Sequence, residues 1–153
     1  MRLPLRGGCQ CGEVRYEITK KPLTLYACHC TACQQQTSAA FGLSLLVERD
    51  GFTFIKGAVE RFEFQEEGKT RKEGLFCPDC GVRIAHDTKG RPALSVKAGT
   101  LDIRSKLVPA GHIWTKSAVS WLELPEDSLV YDYAPDDGYF ALIERWASQE
   151  HAS

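Results

Sequence analysis

The sequence predicts a mainly β domain, built from short antiparallel sheets and held by metal, and three observations carry that reading. Brief runs of alternating apolar and polar residues recur along the chain, each closed by a turn containing Gly, Pro or Asp. Seven cysteines stand in three tight groups, Cys9/Cys11, Cys28/Cys30/Cys33 and Cys77/Cys80, a clustering that metal ligation accounts for. Helical patterning surfaces only as a turn or two over residues 31–37, in and after Cys28-His29-Cys30-Thr31-Ala32-Cys33, and as a helix near the C-terminus.

Taken in order, Gly7-Gly8-Cys9-Gln10-Cys11-Gly12 reads as a loop whose glycines let the backbone curl so that two sulfurs face one ion. Val14, Tyr16 and Ile18 alternate with Arg15 and Glu17 as a half-buried strand, which Pro22 ends. Residues 23–27 lead into Cys28 as a second strand, and Ala32 with Gln34, Gln35 and Gln36 favours a short helix after it. Strands follow over 41–47, 52–55 and 59–64, split by Asp50-Gly51 and Lys56-Gly57, then a polar turn over 66–69. A strand over 71–76 delivers Cys77-Pro78-Asp79-Cys80-Gly81, a metal knuckle in which Pro78 stiffens the turn and Gly81 permits a left-handed backbone. Residues 82–86 and 93–97 read as strands, 99–102 as a loop and 109–114 as an extended piece. After Pro125 the chain turns acidic, and Asp136 or Asp137 caps a helix whose Tyr139, Leu142, Ile143 and Trp146 form a docking face. The expectation is one domain over 1–153, with its core at 5–125 and a C-terminal loop and helix at 126–150.

A closed structural site uses four protein ligands, whereas a reactive one uses three and keeps a position for water or substrate. Cys9, Cys11, Cys77 and Cys80 make the closed set, and Cys28, Cys30 and Cys33 the open one. The alternative at the second site is a closed metal with His29, His86 or His112 as fourth ligand. Gln34, His112 and Trp114 are the expected substrate contacts. Tyr26 and Phe41 are further candidates for the walls, and Arg15 and Lys116 for meeting a carboxylate.

A formal net charge of −1 gives no reason to expect nucleic acid or an anionic membrane as partner. The longest apolar run, Leu43-Ser44-Leu45-Leu46-Val47, is too short for a bilayer, and Met1 to Arg6 carries no signal-peptide core. An odd cysteine count precludes complete pairing within one chain, so reduced thiols in the cytoplasm are expected.

GGCQCGEVRYE, CHCTACQ, LFCPDCG, KAGTLD and HIWTKSAVSW stand in that order between Gly7 and Trp121. Together they resemble the glutathione-dependent formaldehyde-activating enzyme family. The resemblance implies a zinc-bound β-tent fold, which also serves a Rab-binding chaperone and centromere protein V-like proteins. It further implies two zinc ions, one structural on Cys9, Cys11, Cys77 and Cys80 and one in the active site on Cys28, Cys30 and Cys33. The implied activity is that of a carbon–sulfur lyase acting on S-hydroxymethylglutathione, with catalysis at Cys28, Cys30 and Cys33. Small-molecule partners follow from it, a glutathione-like thiol and an aldehyde such as formaldehyde. A carrier that binds glutathione without turnover, or a zinc-stabilised interaction module, are the other uses of such a chain. One departure stands out: where the family often has basic residues and then Gly-Ser, this chain has Gln34-Gln35-Gln36-Thr37-Ser38-Ala39, and amides bind carboxylates more weakly than guanidinium does.

Overall fold

The computed structural model describes residues 1–64 and 71–149, so the polar turn read at 66–69 lies outside the described residues. Three strands, β1 (Leu5–Gly8), β2 (Arg15–Ile18) and β5 (Phe52–Lys56), form a small antiparallel sheet in the order β1-β2-β5. The larger sheet uses β3 (Thr24–Cys28), β4 (Gly42–Glu48), β6 (Glu60–Phe64), β7 (Lys72–Phe76) and β8 (Arg83–Thr88). It is completed by β9 (Ala93–Lys97), β10 (Gly111–Ile113) and β11 (Leu129–Val130). Its order is β11-β10-β3-β4-β9-β8-β7-β6. The helices are α1 (Thr31–Thr37), directly after β3, and α2 (Phe140–Ser148).

The larger sheet has two chemically distinct faces, and the register shows why. Leu25, Leu45, Val96, Ala85 and Leu75 are successive cross-strand partners and all are buried, a continuous apolar row through the core. Side chains alternate between faces along a strand, so the neighbouring rows fall on the opposite side. One of these runs Tyr26, Ser44, Lys97 and the other Leu46, Ser95, His86, Gly74. Ser44, Ser95 and Lys97 are nonetheless buried. The polar face is therefore an interior one, covered in part by α1 and α2. On the small sheet, Tyr16 and Ile18 are fully buried while Arg15 and Glu17 are half-buried, as the alternation predicts.

Three features depart from the sequence reading. The larger sheet is mixed: β10 pairs parallel with both β3 and β11. The chain returns to β3 by a long irregular connection after β9, and amide bonds from Ala110 to Leu25 O (2.8 Å) and from His29 to Ile113 O (2.9 Å) bracket the ladder. Turn signals identify only hairpin neighbours, so this pairing escapes them. Gly7 and Gly8 belong to β1 rather than to the curl around the sulfurs. A side chain at Gly7 would strike the Tyr16 ring and one at Gly8 the Val14 carbonyl; the turn itself is made by Gly12, at φ +79°. The third difference is at the C-terminus. Asp137 does cap α2, its carboxylate accepting from the Tyr139 (2.8 Å) and Ala141 (2.9 Å) amides. Leu142 and Trp146 are buried, but Tyr139 precedes the helix at φ 76° and turns toward Tyr26, ring centroids 5.3 Å apart.

The helix α2 docks on β3, where the Thr24 hydroxyl donates to Leu142 O at 2.9 Å. No helix among the described residues is long and apolar enough to cross a membrane. Leu142 is fully buried and packs over Gly111, where an added side chain would collide with it and with Leu129. Leu142→Ala is expected to destabilise the metal-loaded protein by about 2–5 kcal/mol in urea unfolding, and a loss below 1 kcal/mol would mean that α2 is not part of the cooperative core.

Candidate metal centre and its cavities

Two thiol clusters form, each with its ligand atoms within 4.8 Å of one another: Cys9, Cys11, Cys77 and Cys80, and Cys28, Cys30 and Cys33. All seven cysteines are free. Sulfur separations of 3.4 Å (Cys9–Cys11), 3.7 Å (Cys11–Cys77) and 3.5 Å (Cys28–Cys30) are far beyond a disulfide. They match instead the spacing of about 3.8 Å between thiolates on a tetrahedral zinc with Zn–S bonds of about 2.3 Å. The residues present therefore fit a metal ion at each cluster.

The four-cysteine set is assembled from two loops of the same build. The Cys9 amide donates to Val14 O and the Cys77 amide to Val82 O, both at 3.0 Å and both spanning the same five-residue interval. Each loop turns on a left-handed glycine, Gly12 and Gly81. Backbone amides also face the sulfurs: Val14 N donates to Cys9 Sγ at 3.2 Å, and the amides of Val82 and Cys11 bring the Cys80 thiol down to about 6.

The three-cysteine set sits where β3 ends and α1 begins. Cys28 is the last residue of β3, Cys30 is the N-cap of α1, and Cys33 lies in its first turn, donating its amide to Cys30 Sγ at 3.4 Å. Cys28 donates to Cys30, which pushes the Cys28 thiol up; the Cys28 and Cys33 thiols and the Cys33 amide together hold Cys30 far down. Cys30 is thus the first of the three to carry a thiolate.

No histidine nitrogen joins this cluster among the described residues, which disfavours the closed-site alternative. His29 is fully buried and turned away, its Nε2 3.0 Å from Nδ1 of His112 and its ring 5.3 Å from Phe41. His112 therefore belongs to a buried pair beside the cluster. The strand alternation that brings its neighbour Ile113 to the cavity sends His112 to the other face. Gln34 likewise has a different employment: its amide donates to His29 O (2.7 Å) and Ser117 O (2.8 Å), clamping the start of α1 to the segment after β10. Trp114 and Tyr26 do line the cavity at the cysteines. Arg15 is paired with Asp102 and Lys116 with the Tyr133 hydroxyl.

Two cavities meet at this cluster, of about 230 Å³ and 360 Å³, and both are lined by Cys30, Cys33, Lys72 and His86. Arg91 and Tyr139 add to the first, Arg83 to the second, and no carboxylate lines either among the described residues. Sequence reasoning missed Lys72, Arg91, Arg83 and Lys97; it weighed His86 only as a fourth metal ligand and gave Tyr139 to the docking face of the last helix. Arg83 owes its place to a β-bulge: Leu75 pairs with Ala85 but Phe76 with Arg83, so the extra Ile84 brings Arg83 round to the face of His86. Gly74 leaves the space its guanidinium occupies, since a side chain there would collide with it. Lys97 is buried with its ammonium 3.5 Å from Ser44 Oγ; burial lowers its pKa, and the charges of Cys33 and Cys28 oppose that loss. Burial, then Lys97, Lys72 and Arg83, keeps His86 neutral. The legible signal was the alternation of Leu94-Ser95-Val96-Lys97, whose polar positions had to face something.

The family model for the glutathione-dependent formaldehyde-activating enzyme matches residues 4–117. The chain belongs to that family. Among solved structures, a Rhodobacter sphaeroides protein is similar with a TM-score of 0.52 at 20% identity, over 64% of this chain and 88% of that one, a likeness that speaks to the fold. No curated protein matches the chain. Within the family's match lie both cysteine clusters, β10 and most of the cavity lining; Tyr139 and α2 lie beyond it.

Two predictions follow from this geometry. Native mass spectrometry is expected to count two metal ions per chain, with a mild chelator removing the one at the cavity first; a single ion after added zinc would contradict the second site. Lys97→Met removes the buried cation beside Cys33 and is expected to weaken metal binding at the three-cysteine site about 10–100-fold in chelator competition, leaving the four-cysteine site unaltered. Equal affinities in variant and parent would show that Lys97 does not support the thiolates.

Proposed function

We propose that this family member is a zinc-dependent enzyme of the carbon–sulfur lyase type. It reversibly joins a glutathione-like thiol to an aldehyde such as formaldehyde, giving S-hydroxymethylglutathione or its analogue. The observation that carries this reading is the cluster of three cysteines, with no fourth protein ligand among the described residues, opening on cavities lined by cations and, among the described residues, by no carboxylate.

Cys28, Cys30 and Cys33 would hold the zinc, which when bound would favour the deprotonated, nucleophilic form of a thiol. The rest is the work of the chain. Lys72 and Arg91, in the wall of the smaller cavity, are positioned to meet the carboxylates of a glutathione-like thiol. They supply the charge that Gln34, Gln35 and Gln36 lack. Trp114, Tyr26 and Tyr139 close the sides of that cavity and limit water at the reacting atoms. Joining thiol to carbonyl moves a proton from sulfur to the carbonyl oxygen. His86, neutral and lining both cavities, is the side chain placed to accept it and return it. In the lyase direction the same imidazole takes the hydroxyl proton as the carbon–sulfur bond breaks. Proximity accounts for the rate, because three thiolates leave a metal little Lewis acidity. Free thiols at every position suit a reducing compartment such as the cytoplasm.

Exchange NMR of glutathione with formaldehyde, with and without the zinc-loaded protein, is the test. Accelerated exchange is expected, falling about 100-fold or more in Cys30→Ser and about 10²–10⁴-fold in His86→Ala. A rate that the protein leaves unchanged, or that Cys30→Ser does not alter, refutes the enzyme and favours a carrier.

A further inference from the structure

The larger cavity has a wall that formaldehyde does not require. Phe62 and Phe64, two residues apart on the edge strand β6, project to the same side with their rings stacked, centroids 6.1 Å apart and interplanar angle 15°. Both line the cavity of about 360 Å³ that reaches Cys30 and Cys33. Phe62 is 57% exposed, so that the stacked pair offers aromatic surface at the mouth of a polar site. Beside Phe62, over its cross-strand partner Gly74, stands the bulge-turned Arg83, half-buried, with Nη1 lacking a hydrogen-bond partner.

A carbon–sulfur bond-forming site needs two substrate positions that meet at the reacting sulfur. Two cavities do meet here, sharing Cys30, Cys33, Lys72 and His86. The smaller has Arg91 and tyrosines; the larger has the phenylalanines and Arg83. Formaldehyde, one carbon and one oxygen, would leave the larger cavity almost empty and its phenylalanines and guanidinium without contacts. A cavity of that volume is in the range that binds ring-sized molecules. Its aromatic wall offers stacking to a flat apolar body, and its cations, with no lining carboxylate among the described residues, offer a partner to an anion.

We propose that the larger cavity is the carbonyl-substrate subsite, and that it takes an aromatic aldehyde bearing an acid group rather than formaldehyde alone. The inference rests on the thiol–aldehyde reading above. In the reaction the thiol sulfur bonds the aldehyde carbon, the C=O π pair moves to oxygen, and the thiol proton ends on that oxygen. The product is the hemithioacetal, with no oxidant or reductant needed. Phe62 and Phe64 sandwich or flank the ring, Arg83 meets the carboxylate, and the formyl carbon points to the Cys30/Cys33 end.

The test has two readouts on the zinc-loaded protein. Binding of para-methylbenzoate, which cannot react, is followed by saturation-transfer NMR; kinetics compare para-formylbenzoate, benzaldehyde and formaldehyde with glutathione, each corrected for its spontaneous rate. Para-methylbenzoate is expected to bind about tenfold more weakly to the Phe62→Ala/Phe64→Ala double variant and to Arg83→Gln, with the zinc count of both variants confirming that they fold. The kcat/KM ratio of para-formylbenzoate over formaldehyde is expected to exceed one and to fall about tenfold in the same variants. Acceleration with formaldehyde but not with para-formylbenzoate overturns this inference and leaves the enzyme reading standing. Unchanged para-methylbenzoate binding in both variants overturns it as well. No acceleration with any of the three aldehydes refutes the enzyme reading, and the aldehyde subsite with it.

Discussion

Everything in this molecule depends on how four sulfurs at two strand ends are held together. Cys9 follows β1 in the small sheet and Cys77 follows β7 in the large one. The backbone pairing that joins the sheets among the described residues is slight: the isolated bridge between Gly7 and Leu101 and the bond from the Asp102 amide to Arg6 O (2.9 Å). Hydrophobic packing resists separation of the sheets but is non-directional, so it cannot by itself define their angle. Ligand bonds are directional. A metal ion held by these four thiols would do what a shared ladder does, and would fix one end of β7 and the start of β8. Those strands carry Lys72, Gly74, Arg83 and His86, so the order of the polar wall is inherited from the structural cluster.

The cysteine clusters and most of the strands were legible because each rests on local chemistry. Ligand spacing within a loop is set by the few residues between the sulfurs, and a half-buried strand announces itself by alternation. The register of Tyr16 and Ile18, the helix over 31–37 and the cap at Asp137 were all available from neighbours in sequence. The rest required partners distant in the chain. Nothing near Gly111–Ile113 reveals that it runs parallel to β3, because the signal is a connection and not a motif. That pairing decides which of His112 and Ile113 faces the cysteines. Arg83 was hidden for a subtler reason. By simple alternation it shares a face with Ala85, and only a bulge at Ile84 reverses it. The hydrogen bonds of Gln34 were hidden as well, because they go to the carbonyls of His29 and of the distant Ser117.

The electrostatics of the three-cysteine site can be read as one charge balance. Three thiolates around a divalent cation would leave one negative charge, in a setting where burial penalises it. Lys97, buried behind Cys33, and Arg83, half-buried across the cavity, answer that charge at the cost of their own desolvation. A carboxylate in this wall would undo the compensation, and none lines either cavity among the described residues. Burial first, and then the same cations with Lys72, hold His86 neutral. An imidazole that is already protonated cannot take a thiol proton, so the surroundings that favour the thiolates would also keep the proposed base available.

This balance also constrains what the site can admit. The residual positive potential from Lys72, Arg91 and Arg83 extends into both cavities and favours anions in either. Charge alone would therefore not sort the two proposed substrates; the apolar lining would. Tyr26 and Tyr139 pack against each other at 5.3 Å across the smaller cavity and narrow it. Phe62 and Phe64 lie along an edge strand with no further strand beyond it, so the larger cavity has a side that neither sheet nor helix closes among the described residues. A flexible peptide-like thiol, reaching a metal through one long arm, suits the narrow route; a rigid planar molecule suits the open one. The division of labour is then a consequence of topology. One cavity is pinched by the helix that docks on β3 and the other is left open where the sheet runs out.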